Sequence, residues 1–366
     1  MPNVTLGALH IHAAFDVGFE INFQKLSALL EDRLKDRARK FRPVSVSINR
    51  EIEPLRIGFE PQQIEILGRK RAFQVFATFF ELGALSLEFA CELDGDFHHW
   101  PQISEELEDS DGFADASKQL AREIFEFIRP ALTSPDFYPH PSIHSVFNVR
   151  KLDKELSSAE VMEHFGPSIA KILKTSSEPI GLNEVKRTLA SNVTYSDHDI
   201  VFVSSKTSVV FDEDSLETID ILELANVQAL ELHFTDSRLD RTLLSLYEDE
   251  IRSKSRWGRF MDRVSNRTEK SLRKLNTIHL DSIILAERVD QSFKLASDGY
   301  LSRIHELCVS AMFLALLAKG IDGKLATIRD IMNDVNDRGA NARMETLEWI
   351  IIVLILIGTV PIFLGK

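Results

Sequence analysis

Cysteine is nearly absent: Cys91 and Cys308 are the only two, which excludes a disulfide framework or a cysteine zinc site and suits a reducing compartment. Proline is missing from residues 180–360. Glycine forms no phosphate-cradling loop or dinucleotide fingerprint, and neither a zinc-protease motif nor a nucleophile elbow is present. The reactions that carry those signatures are excluded, and nothing that remains names another. An enzyme with an unrecognised site is therefore the third of three readings, and the sequence implies no cofactor and no small-molecule substrate. The net charge of -13 argues against nucleic acid coating the whole surface.

What is present is unevenly distributed. Eleven of the 12 prolines fall at or before Pro179, and 19 of the 24 phenylalanines at or before Phe211, so a mixed domain precedes a helical one. The expected fold class is α+β: an N-terminal domain with antiparallel hairpins (1–212), a helical, coiled-coil-like hairpin (213–345) and a C-terminal transmembrane helix (346–366). Strands are expected at Val4–Ala13, Ile64–Leu67, Phe73–Phe80 and Ala84–Leu93, with Leu82-Gly83 turning the last two into a hairpin. Helices are expected at Asn22–Lys40 and Phe113–Arg129, and the acidic stretch Asp94–Gly112 reads as a loop. Pro130, Pro135, Pro139 and Pro141 make residues 130–142 a stiff connector. Beyond it come a strand at Ile143–Val149, a helix at Ser157–Leu173 interrupted at Gly166-Pro167, and a short helix at Leu182–Ala190. A second hairpin, Ile200–Ser204 with Ser208–Phe211, follows.

In the helical half, Leu222, Ala225, Ala229, Leu232, Asp236, Leu239, Leu243 and Leu246 keep a 3,4 spacing, which places them on one seam of a helix that Asp214 or Ser215 can cap. Leu272, Leu275, His279, Ser282, Ala286, Val289, Phe293, Ala296, Tyr300, Arg303 and Leu307 repeat the spacing, so two antiparallel helices are expected. Leu307–Ala318 is apolar but too short to span a bilayer and reads as a packed helix; another helix starts at Ile321.

The tail is the longest uncharged run. Trp349, Ile350, Ile351, Ile352, Val353, Leu354, Ile355, Leu356, Ile357, Phe363 and Leu364 lie in a segment with no charge before Lys366. As a helix, its 17 residues from Trp349 to Gly365 would extend about 25 Å, near the lower limit for a hydrocarbon layer of roughly 30 Å. A buried helix or oligomer seam is the alternative, but such a segment usually keeps a polar stripe. Trp349 suits one headgroup layer and Lys366 the other. No signal peptide is read at the start, and Arg338 and Arg343 precede the span, so the expectation is a single-pass anchor with the bulk of the chain cytosolic.

The run Ile221-Leu-Glu-Leu-Ala-Asn-Val-Gln-Ala-Leu-Glu-Leu-His-Phe-Thr-Asp236, followed by Leu239-Asp-Arg-Thr-Leu243 and Tyr247, resembles a block in uncharacterised bacterial membrane proteins, as does the Tyr195–Asp212 hairpin. Those proteins resemble the RMD1 family (required for meiotic nuclear division), whose members also end in a segment like Leu347-Glu-Trp-Ile-Ile351. The likeness covers roughly residues 195–366, with a loose match at Phe73–Phe89. It implies membrane attachment and, as a second reading of function, an RNA- or ribosome-associated factor. No catalytic residues are carried over. The start of the chain lacks a basic amphipathic presequence, which favours a bacterial plasma membrane.

Candidate chemistry is sparse. His10 and His12 would share one face of a strand, a spacing that metal ligands use, but no third ligand stands out and they read as ordinary strand histidines. His98, His99, His140 and His144 sit in or beside loops, and His279 on the helical seam. Glu223, Asn226, Glu231 and Asp236 occupy helix faces, where such residues most often cap, solvate or satisfy a buried neighbour. The leading reading is thus a tail-anchored scaffold that self-associates or binds a protein partner.

One electrostatic feature stands out. Residues 252–274 carry nine basic against two acidic residues, whereas residues 81–126 carry 13 acidic against two basic. Arg252, Lys254, Arg256, Arg259, Arg263 and Arg267 surround Trp257 and Phe260, a pattern that suits anionic lipid headgroups, RNA phosphates with stacked bases, or a solvated tip that balances the acidic stretch. Replacing Arg256, Arg259 and Arg263 with glutamate should abolish any binding of the tail-deleted protein to anionic vesicles or to single-stranded RNA at low salt. Wild-type binding to neither ligand would assign the segment to internal charge balance.

Overall fold

The computed structural model describes residues 2–34, 54–109, 111–253, 299–331 and 333. The chain divides into two compact units, residues 1–234 with 287–317, and residues 235–286 with 318–366. The first is built on an eight-stranded sheet. At its centre β1 (Val4–Asp16) pairs antiparallel with β5 (Ala84–Gly95) and β7 (Ser142–Leu152). On one side β4 (Arg69–Phe80) and the edge strand β3 (Leu55–Ile66) continue the antiparallel meander. On the other, β10 (Thr207–Phe211) runs parallel to β7, followed by β9 (Ile200–Val203) and β8 (Asn192–Val193), giving the order β3-β4-β5-β1-β7-β10-β9-β8. This is the α+β class that the sequence implies.

The pleat of β1 determines what each side of the sheet holds. Leu9, Ile11, Ala13 and Phe15 are fully buried and point to one face, while His10, His12, Ala14 and Asp16 point to the other. The first face packs on α1 (Phe23–Leu34), α2 (Trp100–Asp109), α3 (Asp111–Ile128), α4 (Ser158–Leu173) and α5 (Leu182–Leu189), whose Leu26, Trp100, Phe125, Phe165 and Val185 join one hydrophobic cluster. The second face is polar. It is closed by α6 (Leu216–Ser253), in which every residue from Thr218 to Leu232 is buried except the half-buried Gln228. After residues 254–298 the described chain returns in α7 (Gly299–Ala311), where the Tyr300 hydroxyl donates to Asp199 at 2.9 Å.

Several elements differ from the sequence expectation. Asp94–Gly112 is not a loop: the Asp96 carboxylate accepts from the His98 N–H, a 3-10 turn covers Phe97–His99, and α2 follows. Its many acids hide an amphipathic pattern, because Trp100, Ile103 and Ser104 point inward and Glu108 and Asp109 outward. α4 is unbroken through Pro167, since packing of Phe165 and Ile169 holds the turn that the missing N–H weakens. The proline connector contains a short strand, β6 (Leu132–Pro135), paired with β2 (Gly18–Ile21) at an edge where proline is tolerated. The segment Leu307–Ala318 is two helices, because Met312–Phe313 breaks α7 from α8 (Leu314–Ile331). The Leu82-Gly83 turn forms as expected, and only glycine suits it: φ is +99° and an added Cβ would lie 1.8 Å from the Gly18 carbonyl oxygen.

In the second unit Lys324 of α8 pairs with Asp236 and Asp240 of α6, each at 2.6 Å, and Ile321, Leu325 and Ile328 form a buried stripe at 3,4 spacing. The helical spacing of residues 222–246 forms as a helix, buried almost all round from Thr218 to Leu232 and one-sided beyond it, where Leu239 is buried and Asp240 and Arg241 are exposed. The partner helix expected at 272–298 and the anchor at 349–366 lie outside the described residues. Among the described residues, no single helix is long and apolar enough to cross a membrane.

Trp100 is the largest fully buried side chain among the described residues, with the Phe97 and Phe147 rings tilted beside it at centroid distances of 4.8 and 6.0 Å. Trp100→Ala should lower stability by about 3–5 kcal/mol in urea denaturation, and the exposed Gln102→Ala by less than about 0.5 kcal/mol. Similar losses for the two would show that α2 does not contribute to the core.

Candidate functional site

The polar face of the sheet gathers most of the buried titratable groups among the described residues of the first unit. Strand register sets Arg56 of β3 opposite Thr78 of β4, Thr78 opposite Ser86 of β5, and His12 of β1 between Glu88 of β5 and His144 of β7. All are buried, at 8 % exposure or less. Above them α6 presents Asp220, Glu223 and Asn226, three residues apart and so on one helix face.

Arg56 ties these pieces together. Its Nε donates to Thr78 Oγ1 at 2.9 Å, Nη1 to Asp220 Oδ1 at 2.9 Å and Nη2 to Glu223 Oε2. Burial opposes its charge, but the Glu223, Asp220 and Glu88 carboxylates outweigh that cost and hold the guanidinium above its ordinary pKa. Around this clasp, Asn226 donates to the Ser142 carbonyl at 2.9 Å and the His12 carbonyl at 3.3 Å, and the Asn148 amide donates to Ser215 Oγ at 2.7 Å. The helix is therefore held on the sheet largely by polar contacts.

Glu88 is ionised. Burial pushes its pKa up, but His10, Arg56 and His12 hold it well below the carboxylate range, and the ionised group can only accept, so His10 Nδ1 donates to it at 2.8 Å. His12 is fully buried, and neither ring nitrogen has a hydrogen-bond partner among the described residues; its Nδ1 lies 3.8 Å from Glu223 Oε1. Burial lowers its pKa against the pull of Glu223 and Glu88. His144 contacts Ser208 Oγ through Nε2 at 2.8 Å, and burial, with His12 beside it, pushes it down to about 3. Farther along α6, Glu231 is fully buried, with neither carboxyl oxygen hydrogen-bonded among the described residues; burial and then Asp16 raise its pKa.

His10 and His12 do share a strand face, as their spacing implies. Among the described residues, no group of three His, Cys, Asp or Glu side chains is arranged to hold a metal ion. His144 is not beside a loop but fully buried in β7. The remaining candidates are dispersed: His98 meets Ser168 at 2.7 Å, His99 meets Gln102 at 3.4 Å, and His140 packs edge-on against Tyr138. Glu223 and Asn226 satisfy buried neighbours, and Asp236 pairs with Lys324. Of the basic segment, Arg252 belongs to the last turn of α6, while Lys254, Arg256, Trp257, Arg259, Phe260, Arg263, Arg267 and the seam residue His279 lie outside the described residues. Sequence reasoning missed Arg56, Glu88 and Asp220. The available signal was a polar residue at every second position of strands otherwise apolar on both faces: His10 and His12, Ser86 and Glu88, Ser142 and His144.

Residues 6–217 match the family described as "Uncharacterized protein MJ0711, N-terminal domain", and the chain belongs to that family. Over 194 residues it is 22% identical to the uncharacterized protein MJ0711 of Methanocaldococcus jannaschii, a match spanning 52% of this chain and 56% of that protein. The chain thus spans little more than half the length of this relative. No solved structure matches. The family match contains Arg56, Glu88 and the histidines but stops at residue 217, so the carboxylates that close the clasp, Asp220 and Glu223, follow it in sequence.

Arg56→Met leaves two buried carboxylates without their cation and should cost about 3–5 kcal/mol in chemical denaturation. Adding Asp220→Asn and Glu223→Gln should recover part of that loss by removing the uncompensated charges. If the single and triple variants are equally unstable, the ion pairs do not account for the effect.

Proposed function

We propose that this chain is a membrane-tethered interaction scaffold, anchored by residues 349–366, in which the α+β unit fixes the start of α6 and the helical residues beyond it engage a protein partner or a second copy. The observation that supports it best is the use made of the polar cluster. Its donors and acceptors hold α6 against the sheet, and its side chains are closed to solvent, so the most chemically equipped part of the chain serves architecture in this conformation. The second support is the uncharged run from Trp349 to Gly365, which is favourable in hydrocarbon and costly in water. The resemblance to RMD1 proteins agrees with membrane attachment. Arg338 and Arg343 before the run support placing the bulk on the cytosolic side.

Deleting residues 349–366 should move the protein from carbonate-washed membranes to the soluble fraction with its thermal transition unchanged. Crosslinking of the full chain in membranes, followed by capture, should then recover a second copy or a discrete protein partner. A truncated chain that still sediments with membranes defeats the anchor. Crosslinks to RNA in place of protein defeat the scaffold in favour of an RNA-associated factor.

A further inference from the structure

The contact between α6 and the sheet combines three features. It is polar, it seals His12 and His144 from solvent, and His12 has no hydrogen-bond partner on either ring nitrogen among the described residues. His12 and His144 lie beneath the helix on β1 and β7, and on another side His305 of α7 meets Gln228 of α6 at 3.1 Å through Nε2. A protonated imidazole has two donors and needs two acceptors. His12 has none within hydrogen-bond reach, and the one carboxylate oxygen near it, Glu223 Oε1, stands 3.8 Å away on the helix itself.

We propose that α6 sits on the sheet as an acid-released latch, closed while His12, His144 and His305 are uncharged and opened as they take up protons. The charged and titratable groups around them set the sign. His12 faces Glu223 from α6, Glu88 from β5, Arg56 from β3, His10 from its own strand and His144 from β7; burial outweighs the two carboxylates and favours the neutral ring. His144 faces His12, Ser208 and the backbone of Ser205, and burial again keeps it neutral. His305 is kept neutral by burial against the pull of Glu306.

For a base whose pKa is lowered in the closed state, the contribution to closure is complete above the ordinary value of about 6.5 and is lost as pH falls below it. Glu231 acts in the opposite sense. Its pKa is raised in the closed state by burial and by Asp16, so opening releases its proton. Opening therefore takes up protons at the histidines and gives one off at Glu231. The opening equilibrium should rise as pH falls from about 6.5 to 5.

Hydrogen exchange of the full chain at pH 6.5 and pH 5.0, corrected for intrinsic rates, tests this. Amides of residues 218–232 should lose protection at pH 5.0 while those of α4, on the opposite face of the sheet, keep theirs. His12→Gln with His144→Gln removes the two enclosed imidazoles, so the pH response should shrink. Ser142→Cys with Asn226→Cys, at side chains whose polar atoms are 2.8 Å apart, should suppress the response when oxidised and restore it when reduced. Unchanged protection of α6 between the two pH values overturns the latch. So does simultaneous loss in α4, which means global unfolding, or a response undiminished in the glutamine variant or the oxidised crosslinked variant.

Discussion

The guanidinium of Arg56 is the point on which the first unit depends. It sits on an edge strand, reaches Thr78 on the neighbouring strand, and binds two carboxylates from a helix 164 and 167 residues later in the chain. Three of its groups are satisfied at once, and with Glu88 close by it faces more negative charge than it carries. Such a clasp adds little net stability, because desolvating the ions offsets most of their attraction. What it fixes is register. A helix shifted by one residue would rotate Asp220 and Glu223 about 100° away from Arg56 and leave all three charges buried and unpaired.

The sheet explains why a polar clasp is needed. Its apolar face is covered by five helices and an aromatic cluster in which Phe97 meets Trp100, Phe165 and Phe211. Apolar packing tolerates small displacements. The opposite face carries charge or hydroxyl groups on β3, β4, β5, β1, β7 and β10, so whatever covers it must bring matching partners. α6 brings Ser215, Asp220, Glu223 and Asn226 in that spacing, which accounts for a core helix with so many polar residues in its buried half.

Strand alternation and hairpin turns made most of the sheet legible in the sequence. β1, β4, β5, β7, β9 and β10 lie where period-two patterning and the Leu82-Gly83 and Ser205-Lys206 turns place them. Where the structure departs from the sequence pattern, packing overrides local composition. Four acids between Glu105 and Asp109 concealed α2 because its inward side holds only a few large residues. Pro167 suggested a break that the surrounding core closes. The cluster itself was half visible. His10 and His12 were evident as a pair, but their neighbours come from residues 56, 88, 144, 220 and 223, and no local spacing announces a contact made across the strands of a sheet.

Convergent titratable groups with displaced pKa values mark catalytic sites, and they equally mark structural ion-pair networks. Access separates the two. A general base must reach its substrate within hydrogen-bond distance, yet His12, His144 and Glu88 are wholly enclosed and even His10, the most open member, is 8 % exposed. With α6 in place these groups have nothing to act on except one another and the helix. Their chemistry is therefore exchanged with solvent only as protons, and only when the helix moves. On the proposed latch, the position of α6 is the property that the cluster controls.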